Sequence, residues 1–484
     1  MEASGSSTTQ QSALDRYFKI SERGSTIGTE IRAGVVTFFA MAYIIILNPL
    51  ILGTGEDVNG KVLGIPQVAA ATALAAGVMT IAFGLIARYP FGIAAGLGIN
   101  TLVAVTMVSS EGLTWEEAMG LVVLDGIVIV ILAVSGFRTA VFAAIPPSMI
   151  AAMSVGIGMF IALIGLVDAG FVRRIPDAAH TTVPVSLGTG GSIASWPTFV
   201  FVLGLIICGF MVIRNVRGGL FIGIVLTTII AMVVEAITGA GSSADDPVGG
   251  WNLAVPTFPD GFGGIPDLSI VGDVSIFGAF SHVGALAATL LLFTLVLANF
   301  FDAMGTMTAL GKQAELVDAQ GVLPDMKKAL IVEGTGAIIG GGASASSNTV
   351  YVDSAAGIAD GARTGLANVV TGLLFLLAMF LTPLYEVVPI EAAAPVLVIV
   401  GALMIGQVRD IDFNQFHIAL PAFLTIVVMP FTYSIANGIG VGFIAFTLMA
   451  LFAGKAKEIH WIMWLISALF VVYFAMDPIL AAVG

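Results

Sequence analysis

The sequence predicts an all-α polytopic membrane protein, on the strength of its composition and the spacing of its apolar stretches. Of its 484 residues, 58% are hydrophobic and only 10% are charged, whereas soluble domains carry about 25% charged residues. About 20 apolar residues cross the hydrocarbon core as a helix. The chain holds about 14 such segments, which excludes a soluble globular protein. The expected surroundings are a lipid bilayer, and no nucleic-acid partner is expected.

Lysine and arginine set the predicted topology, because these residues collect in cytoplasmic loops. Basic residues precede the first span, so we predict a multi-pass protein of the cell membrane with a cytoplasmic N-terminus. All of the 18 Lys and Arg residues then fall on the cytoplasmic side except Lys61, Arg173 and Arg174. The predicted spans are 30–53, 66–87, 90–110, 117–136, 139–168, 196–213, 218–240, 283–310, 329–343, 346–361, 365–388, 391–408, 415–434 and 436–454.

The chain divides into a polar cytoplasmic N-terminus (1–28), a first seven-span repeat (29–240), an extracellular loop (241–280) and a second seven-span repeat (281–484). The loop contains aspartates but no Lys or Arg, as expected of an external segment. Because seven is odd, the second half enters from the opposite face, which gives the inverted repeat of secondary transporters. An apolar stretch at 459–480 either lies on the membrane surface or crosses it.

The third span of each half is interrupted by small residues. These spans read "PFGIAAGLGINTLVAV" at 90–105 and "GGASASSNTVYVDSAAG" at 341–357. We predict that each is a short extended piece leading into a half-helix, and that the pair forms a binding site. Asn100, Asn348 and Thr349 are its candidate polar contacts. The alternative is that the small residues only permit tight helix packing.

Two acids stand out within the predicted spans, where ionisable residues are costly and usually functional. Asp302 lies in the eighth span and Asp353 follows the extended piece of the tenth. Both are candidates for substrate binding and for proton coupling. The alternatives are a hydrogen-bonded buried acid for Asp302 and a helix N-cap for Asp353. A third acid, Asp125, is either a proton relay or the partner of a polar neighbour.

Other classes of site have little support. The four histidines lack metal-ligand spacing, and Cys208 is the only cysteine, so we expect no metal and no cofactor. Without a nucleophile–base pair or a metal cluster, we expect no enzyme. We interpret "GTGAIIGGG" at 334–342 as a site of close helix packing rather than a dinucleotide-binding loop.

Several segments together resemble the AzgA-like purine permeases of the nucleobase:cation symporter-2 group. They are "TEIRAGVVTFFAMAYIIILNPLIL" (29–52), "GLGIN" (96–100), "FFDAMGT" (300–306), "YVDSAAGIADGARTGL" (351–366) and "PAFLTIVVMPFTYSIANGIGVGF" (421–443). The resemblance implies uptake of adenine, guanine or hypoxanthine by proton symport. The sequence itself does not distinguish a proton from a sodium ion as the coupling ion. The resemblance also implies a core domain of spans 1–4 and 8–11 and a gate domain of spans 5–7 and 12–14. Whether the protein forms a homodimer is left open.

The resemblance places the family's two acids on Asp302 and Asp353, although the usual residue at the latter position is Glu. A further acid that often precedes the eighth-span motif is Asn299 here, and the third-span motif reads Gly-Leu-Gly-Ile-Asn-Thr. The alternatives are a xanthine, uric acid or uracil permease of the same fold and, more distantly, an anion transporter, which two aspartates disfavour.

Overall fold

The chain folds into an array of apolar helices with two short pairs of strands. The structure, a computed structural model, describes the backbone of residues 12–135, 145–174, 185–189, 191–246, 248–252, 254–258, 261, 263–317, 323–324, 326–384 and 387–475. Within those ranges, its description leaves out the side chains at 301, 302, 304, 305, 308, 309, 312, 382, 383, 436 and 473.

The first half is helical apart from three strands. Its helices are α1 (Ala13–Phe18), α2 (Ile27–Met41), α3 (Ile44–Leu52), α4 (Ile65–Ile86), α5 (Leu97–Thr101), α6 (Trp115–Ser135), α7 (Pro147–Asp168), α8 (Trp196–Ile213) and α9 (Gly219–Thr238). Its strands are β1 (Ile93–Ala95), β2 (Val172–Arg174) and β3 (Val185–Leu187).

The second half follows the same plan. Its helices are α10 (Gly278–His282), α11 (Ala285–Gln313), α12 (Met326–Gly342), α13 (Ala355–Ala359), α14 (Gly365–Ala378), α15 (Ile390–Ile405), α16 (Phe416–Phe431), α17 (Ile435–Phe452) and α18 (Trp461–Phe474), and its strand is β4 (Asn348–Val350).

The predicted fold class is confirmed. In the described part of the chain, seven helices are long and apolar enough to cross a membrane, and six more apolar helices are shorter. The predicted span 139–168 is observed as α7, and its residues 139–144 lie outside the described ranges. The apolar stretch at 459–480 contains α18, which packs along α17, where the Ser467 hydroxyl donates to the carbonyl oxygen of Phe443 at 3.0 Å.

Helix contacts follow the symmetry of two seven-span repeats. Span 4 (α6) packs on span 9 (α12), and span 2 (α4) packs on span 11 (α14). In the repeat, span 4 corresponds to span 11 and span 9 corresponds to span 2. The two contacts are therefore equivalent under the symmetry. Spans 3 and 10 pair with each other, as do spans 5 and 12 (α7 and α15). Each half therefore buries its apolar faces largely against the other half.

Glycines bring α6 and α12 close together, as predicted for the segment 334–342. A Cβ atom added to Gly126 would lie 2.6 Å from the backbone nitrogen of Ile338, and one added to Gly334 would lie 3.1 Å from the backbone nitrogen of Val130. Neither position can accept a larger side chain without separating the helices, so "GTGAIIGGG" is a site of helix packing.

Loops that the sequence places on one side of the membrane meet in the structure. The Arg23 guanidinium donates to the carbonyl oxygens of Arg88 (2.5 Å) and Arg363 (3.0 Å). At the other end of the helices, Lys61 pairs with Glu116 and, at 2.6 Å, with Asp273. The hydrogen bonds that Lys61 donates to these two carboxylates raise its pKa. The loops that carry Arg23, Arg88 and Arg363 thus share one face, as the distribution of Lys and Arg predicts for these three loops.

One feature departs from the all-α prediction outside the interrupted spans. The strands β2 and β3, which follow α7, form an antiparallel pair with Val172 opposite Leu187. Each strand has only three residues, which is too short for the periodicity of the sequence to indicate it reliably.

Candidate functional site

The two interrupted spans meet and pair. Strands β1 and β4 are antiparallel, with Ile93 opposite Val350, Ala94 opposite Thr349 and Ala95 opposite Asn348. The ladder is buried, and it continues at both ends through the Gly96 N–H to Ser347 O bond (3.0 Å) and the Tyr351 N–H to Gly92 O bond (2.9 Å). The predicted extended pieces are therefore observed, and each satisfies the other's backbone groups inside the apolar core.

Each strand leads into a half-helix, as predicted. After β1 the chain forms α5 and then a π-helical stretch at Leu102–Ser110. π-helical turns are rare and often occur at functional sites. After β4 it forms a 3₁₀ turn at Val352–Ser354 and then α13. The two half-helices thus begin at opposite ends of one short ladder.

A strained turn precedes β4. Ser344 and Ser346 have positive φ angles of 55° and 66°, a region that residues other than glycine seldom adopt. The Ser344 hydroxyl donates to the carbonyl oxygen of Ile270 at 3.0 Å. Gly340 of α12 lies directly beneath this turn, because a Cβ atom there would overlap the carbonyl oxygen of Ser346. Strained backbone of this kind persists where the surroundings hold it, and it is frequent at binding sites.

Asp353 lies beside this ladder and is held by a tyrosine. The Tyr43 hydroxyl donates to Asp353 Oδ2 at 3.0 Å. The ring of Tyr43 lies 6.3 Å from that of Tyr351, whose hydroxyl donates to the carbonyl oxygen of Ala95 at 2.6 Å. Asp353 is inside the 3₁₀ turn, and α13 has no side-chain cap. The N-cap alternative is therefore wrong, and the carboxylate contacts Tyr43 across the fold instead.

The three predicted polar contacts are buried without protein partners among the described residues. In the described part of the chain, the amide groups of Asn100 and Asn348 form no hydrogen bond through either the nitrogen or the oxygen atom. The hydroxyl group of Thr349 forms none there either. An unsatisfied buried polar group costs about 1–3 kcal/mol, so a ligand is a reasonable partner. Successive strand residues point to opposite faces, so we expect a bound molecule to contact only one of Asn348 and Thr349 directly.

Asp302 and Asp125 belong to neighbouring helices. Asp302 lies in α11, and its side chain is outside the described part of the structure. One turn earlier on α11, the Asn299 amide donates to Asp125 Oδ2 at 2.9 Å and to the Ser347 hydroxyl at 2.8 Å. Asp125 therefore pairs with a polar neighbour, which was one of its two predicted roles.

Sequence reasoning missed the roles of Tyr43 and Asn299. Tyr43 is an aromatic residue in an apolar span, and nothing in its neighbourhood distinguishes it from a core residue. Asn299 carried one signal, since it replaces an acid that is frequent in the family that the chain resembles. Among the described residues, no group of three or more His, Cys, Asp or Glu side chains could hold a metal ion.

A cavity of about 380 Å³ lies at the predicted extracellular end of the helices, and none of Asn100, Asn348, Thr349 and Asp353 is among its lining residues. Small-molecule pockets have volumes of about 300–1,000 Å³. Its polar lining includes Thr54, Thr101, Asp168, Asn252 and Tyr433. Thr101 ends α5 and directly follows Asn100, so the cavity reaches the half-helix after β1 next to one of the predicted polar contacts.

Charged residues join the helices at the predicted cytoplasmic side. Asp360, just after α13, pairs with Arg217 from the loop between α8 and α9 and, at 2.6 Å, with Arg32 of α2. The side chain of Asp360 is buried, whereas the side chains of both arginines are more than half exposed. Phe39 of α2 also contacts Phe221 of α9, with ring centroids 6.1 Å apart. These contacts thus join helices at the end of the molecule opposite the cavity.

We expect Arg217→Ala to make the cavity less accessible from outside. The pair is partly solvated and contributes about 1 kcal/mol or less, so its loss should lower the population of the observed arrangement by up to about fivefold. The measurement is the labelling rate of Thr101→Cys by a membrane-impermeant maleimide in intact cells. The native thiol of Cys208 is buried, which limits background labelling.

Arg214→Ala is the matched control for this prediction. Arg214 is in the same loop and forms no ion pair with any residue in the described ranges. Equal labelling rates in the Arg217→Ala variant, the Arg214→Ala variant and the parent protein would show that the Asp360–Arg217 pair does not hold this arrangement.

Similarity to known proteins extends over nearly the whole chain. Residues 28–441 match the model Xan_ur_permease, described as a permease family. The guanine/hypoxanthine permease PbuG of Bacillus subtilis is 37% identical over 465 residues, which cover 95% of this chain and 99% of PbuG. The adenine permease AdeP of Escherichia coli is 33% identical over 465 residues, which cover 96% of each chain.

A solved structure shares the fold. The transmembrane domain of a cyanobacterial bicarbonate transporter, BicA, aligns with a TM-score of 0.60 at 14% sequence identity, covering 85% of this chain and 97% of that chain. This likeness concerns the inverted-repeat fold alone, because the sequences are too different to compare their sites.

Proposed function

This chain belongs to the permease family Xan_ur_permease, and we propose that it carries the purine nucleobases adenine, guanine and hypoxanthine into the cell. The observation that carries the proposal is the buried β1–β4 ladder, with the Asp353 carboxylate beside it and unsatisfied polar groups on Asn100 and Thr349. The relatives named for these bases match the chain along nearly its whole length. Transport requires no covalent step, so we propose no enzymatic activity.

The Asp353 carboxylate suits the edge of a purine ring. Tyr43 donates to its Oδ2 atom and fixes its orientation. A carboxylate has acceptor capacity for further N–H groups, and purines present ring and exocyclic N–H donors along one edge. Asn100 and one of the two strand residues Asn348 and Thr349 offer further hydrogen-bonding groups to the base, and Asp302 is proposed as the second acid of the site. The rings of Tyr43 and Tyr351 lie close to where a flat ligand would meet the carboxylate.

We propose that protons drive uptake and that Asp302 and Asp353 carry the proton, with sodium as the alternative coupling ion. A carboxylate in a low-dielectric site changes its proton affinity when the site opens to water. Protonation of one of the two acids, while the other stays ionised and accepts the N–H groups of the base, avoids the burial of a second unpaired charge. The same acids therefore couple base binding to proton movement.

We propose that transport moves a core domain (spans 1–4 and 8–11) against a gate domain (spans 5–7 and 12–14). The cavity lies between helices α3 and α5 of the core and helices α7 and α15 of the gate. On the other side, Asp360 of the core pairs with Arg217 of the gate. With the N-terminus in the cytoplasm, this arrangement is open to the outside, and inward opening requires the Asp360–Arg217 pair to break.

Uptake by cells that lack their own purine permeases tests the proposal. We expect cells expressing this chain to accumulate radiolabelled hypoxanthine, adenine or guanine, and unlabelled purines to compete. Excess xanthine, uric acid and uracil test the alternative substrates of the same fold. A proton ionophore should abolish uptake, and sodium removal should leave it unchanged. Cells that accumulate none of the three purines would contradict the proposed function.

A further inference from the structure

Asn299 occupies a junction between three parts of the molecule. Its amide group has two N–H donors, and one contacts Asp125 of α6 while the other contacts Ser347, the residue before β4. All three residues are fully buried. A single side chain thus connects α6, α11 and the strand that forms the ladder.

Both ends of this junction are firmly anchored. Next to Asp125, the backbone of α6 at Gly126 lies against α12, with no room for a Cβ atom. At the other end, the carbonyl oxygen of Ser347 accepts the Gly96 N–H at 3.0 Å, which is the first backbone bond beyond the ladder. A displacement of Asn299 would therefore pass directly to β4.

We propose that Asn299 is a positioning residue that sets β4 and the binding face of α11 relative to each other by joining Asp125 to Ser347. Asp302 is three residues after Asn299, so the two lie on neighbouring positions of one helix face. Asn348 and Thr349 follow Ser347 directly. One amide thus fixes the spacing between the two elements that bear the proposed base contacts. This role rests on the proposed function only where base binding is concerned.

The first test measures the position of β4 without any substrate. Hydrogen exchange of purified protein should show that Asn299→Ala accelerates exchange of the backbone amides at 347–351 by about tenfold or more, because two buried hydrogen bonds are lost. Thr294→Val is the matched control, since the hydroxyl of Thr294 is also buried in α11 but bonds only to Leu290 of its own helix in the described structure. Exchange that is unchanged in the Asn299→Ala variant would overturn the proposal, whatever the chain transports.

The second test exchanges the two side chains. Asn299→Asp brings a second carboxylate within hydrogen-bonding distance of Asp125, and the two like charges repel each other. We therefore expect KM for the transported purine to rise by about tenfold, with little change in the maximal rate. Adding Asp125→Asn restores an amide–carboxylate pair in reverse order, and the Ser347 hydroxyl can then donate to the new carboxylate. We expect the double variant to return KM to within about threefold of the wild-type value.

A double variant no better than Asn299→Asp alone would overturn the proposed Asp125–Asn299 bond as the positioning contact. A merely structural role would lower the amount of folded protein and leave KM unchanged. If the wild-type chain transports no purine, the proposed function fails. The hydrogen-exchange measurement on the amides of β4 still decides the role of Asn299.

Discussion

Replacement of Asp353 by Asn should reduce purine uptake by about ten- to a hundredfold without reducing the amount of protein in the membrane. Hydrogen bonds to a charged group contribute about 1.5–3 kcal/mol each, and each 1.4 kcal/mol is a factor of ten. The substitution preserves size but removes the charge that Tyr43 orients. The measurement is initial-rate uptake of radiolabelled hypoxanthine, normalised to surface protein.

Asp353→Glu is the informative control for this prediction, because it keeps the carboxylate and matches the residue that the resembling family usually has. We expect it to retain most of the uptake. Asp412→Asn changes an exposed loop acid and should have no effect. Uptake by the Asp353→Asn variant within twofold of the wild-type rate would remove this carboxylate from the binding site.

Gly340→Ala should abolish transport by displacing β4. A methyl group there would overlap the carbonyl oxygen of Ser346 and lie 3.1 Å from the backbone nitrogen of Asn348. Overpacking of this kind typically costs about 1–3 kcal/mol, and the turn cannot relax easily because Ser344 and Ser346 already have positive φ angles. We expect a lower melting temperature in detergent and loss of hypoxanthine uptake.

Gly342→Ala is the matched control, two residues further along the same helix. A Cβ atom at Gly342 has no neighbour within 4 Å, and alanine is the better helix former by about 1 kcal/mol. This variant should transport normally and melt at an equal or higher temperature. Equal behaviour of the two variants would show that the contact between α12 and the turn does not position β4.

The fold was largely predictable because local composition determines it. Apolar length predicts spans, and the distribution of Lys and Arg predicts which loops share a face, as the contacts of Arg23 with Arg88 and Arg363 confirm. The small residues around Asn100 and Asn348 indicated that two spans are interrupted at corresponding positions. Their pairing follows from the need to satisfy backbone groups away from water.

The partners of individual side chains were not predictable in the same way. Tyr43 and Asp353 are 310 residues apart in sequence, and no local pattern connects them. Likewise, the predicted topology places Arg217 and Asp360 on one face of the membrane, but it does not predict the ion pair that they form. The π-helical stretch after α5 depends on backbone hydrogen bonding that composition does not reveal. Such contacts depend on how the two halves dock, which a single sequence does not specify.

The most direct test of base recognition at the β1–β4 ladder is equilibrium binding of radiolabelled hypoxanthine to the purified wild-type protein and its Asp353→Asn variant. We predict saturable binding to the wild type, competition by adenine and guanine, and loss of binding in the variant. Saturable binding of equal affinity in both proteins, or none of any purine in the wild type, would contradict the proposed site.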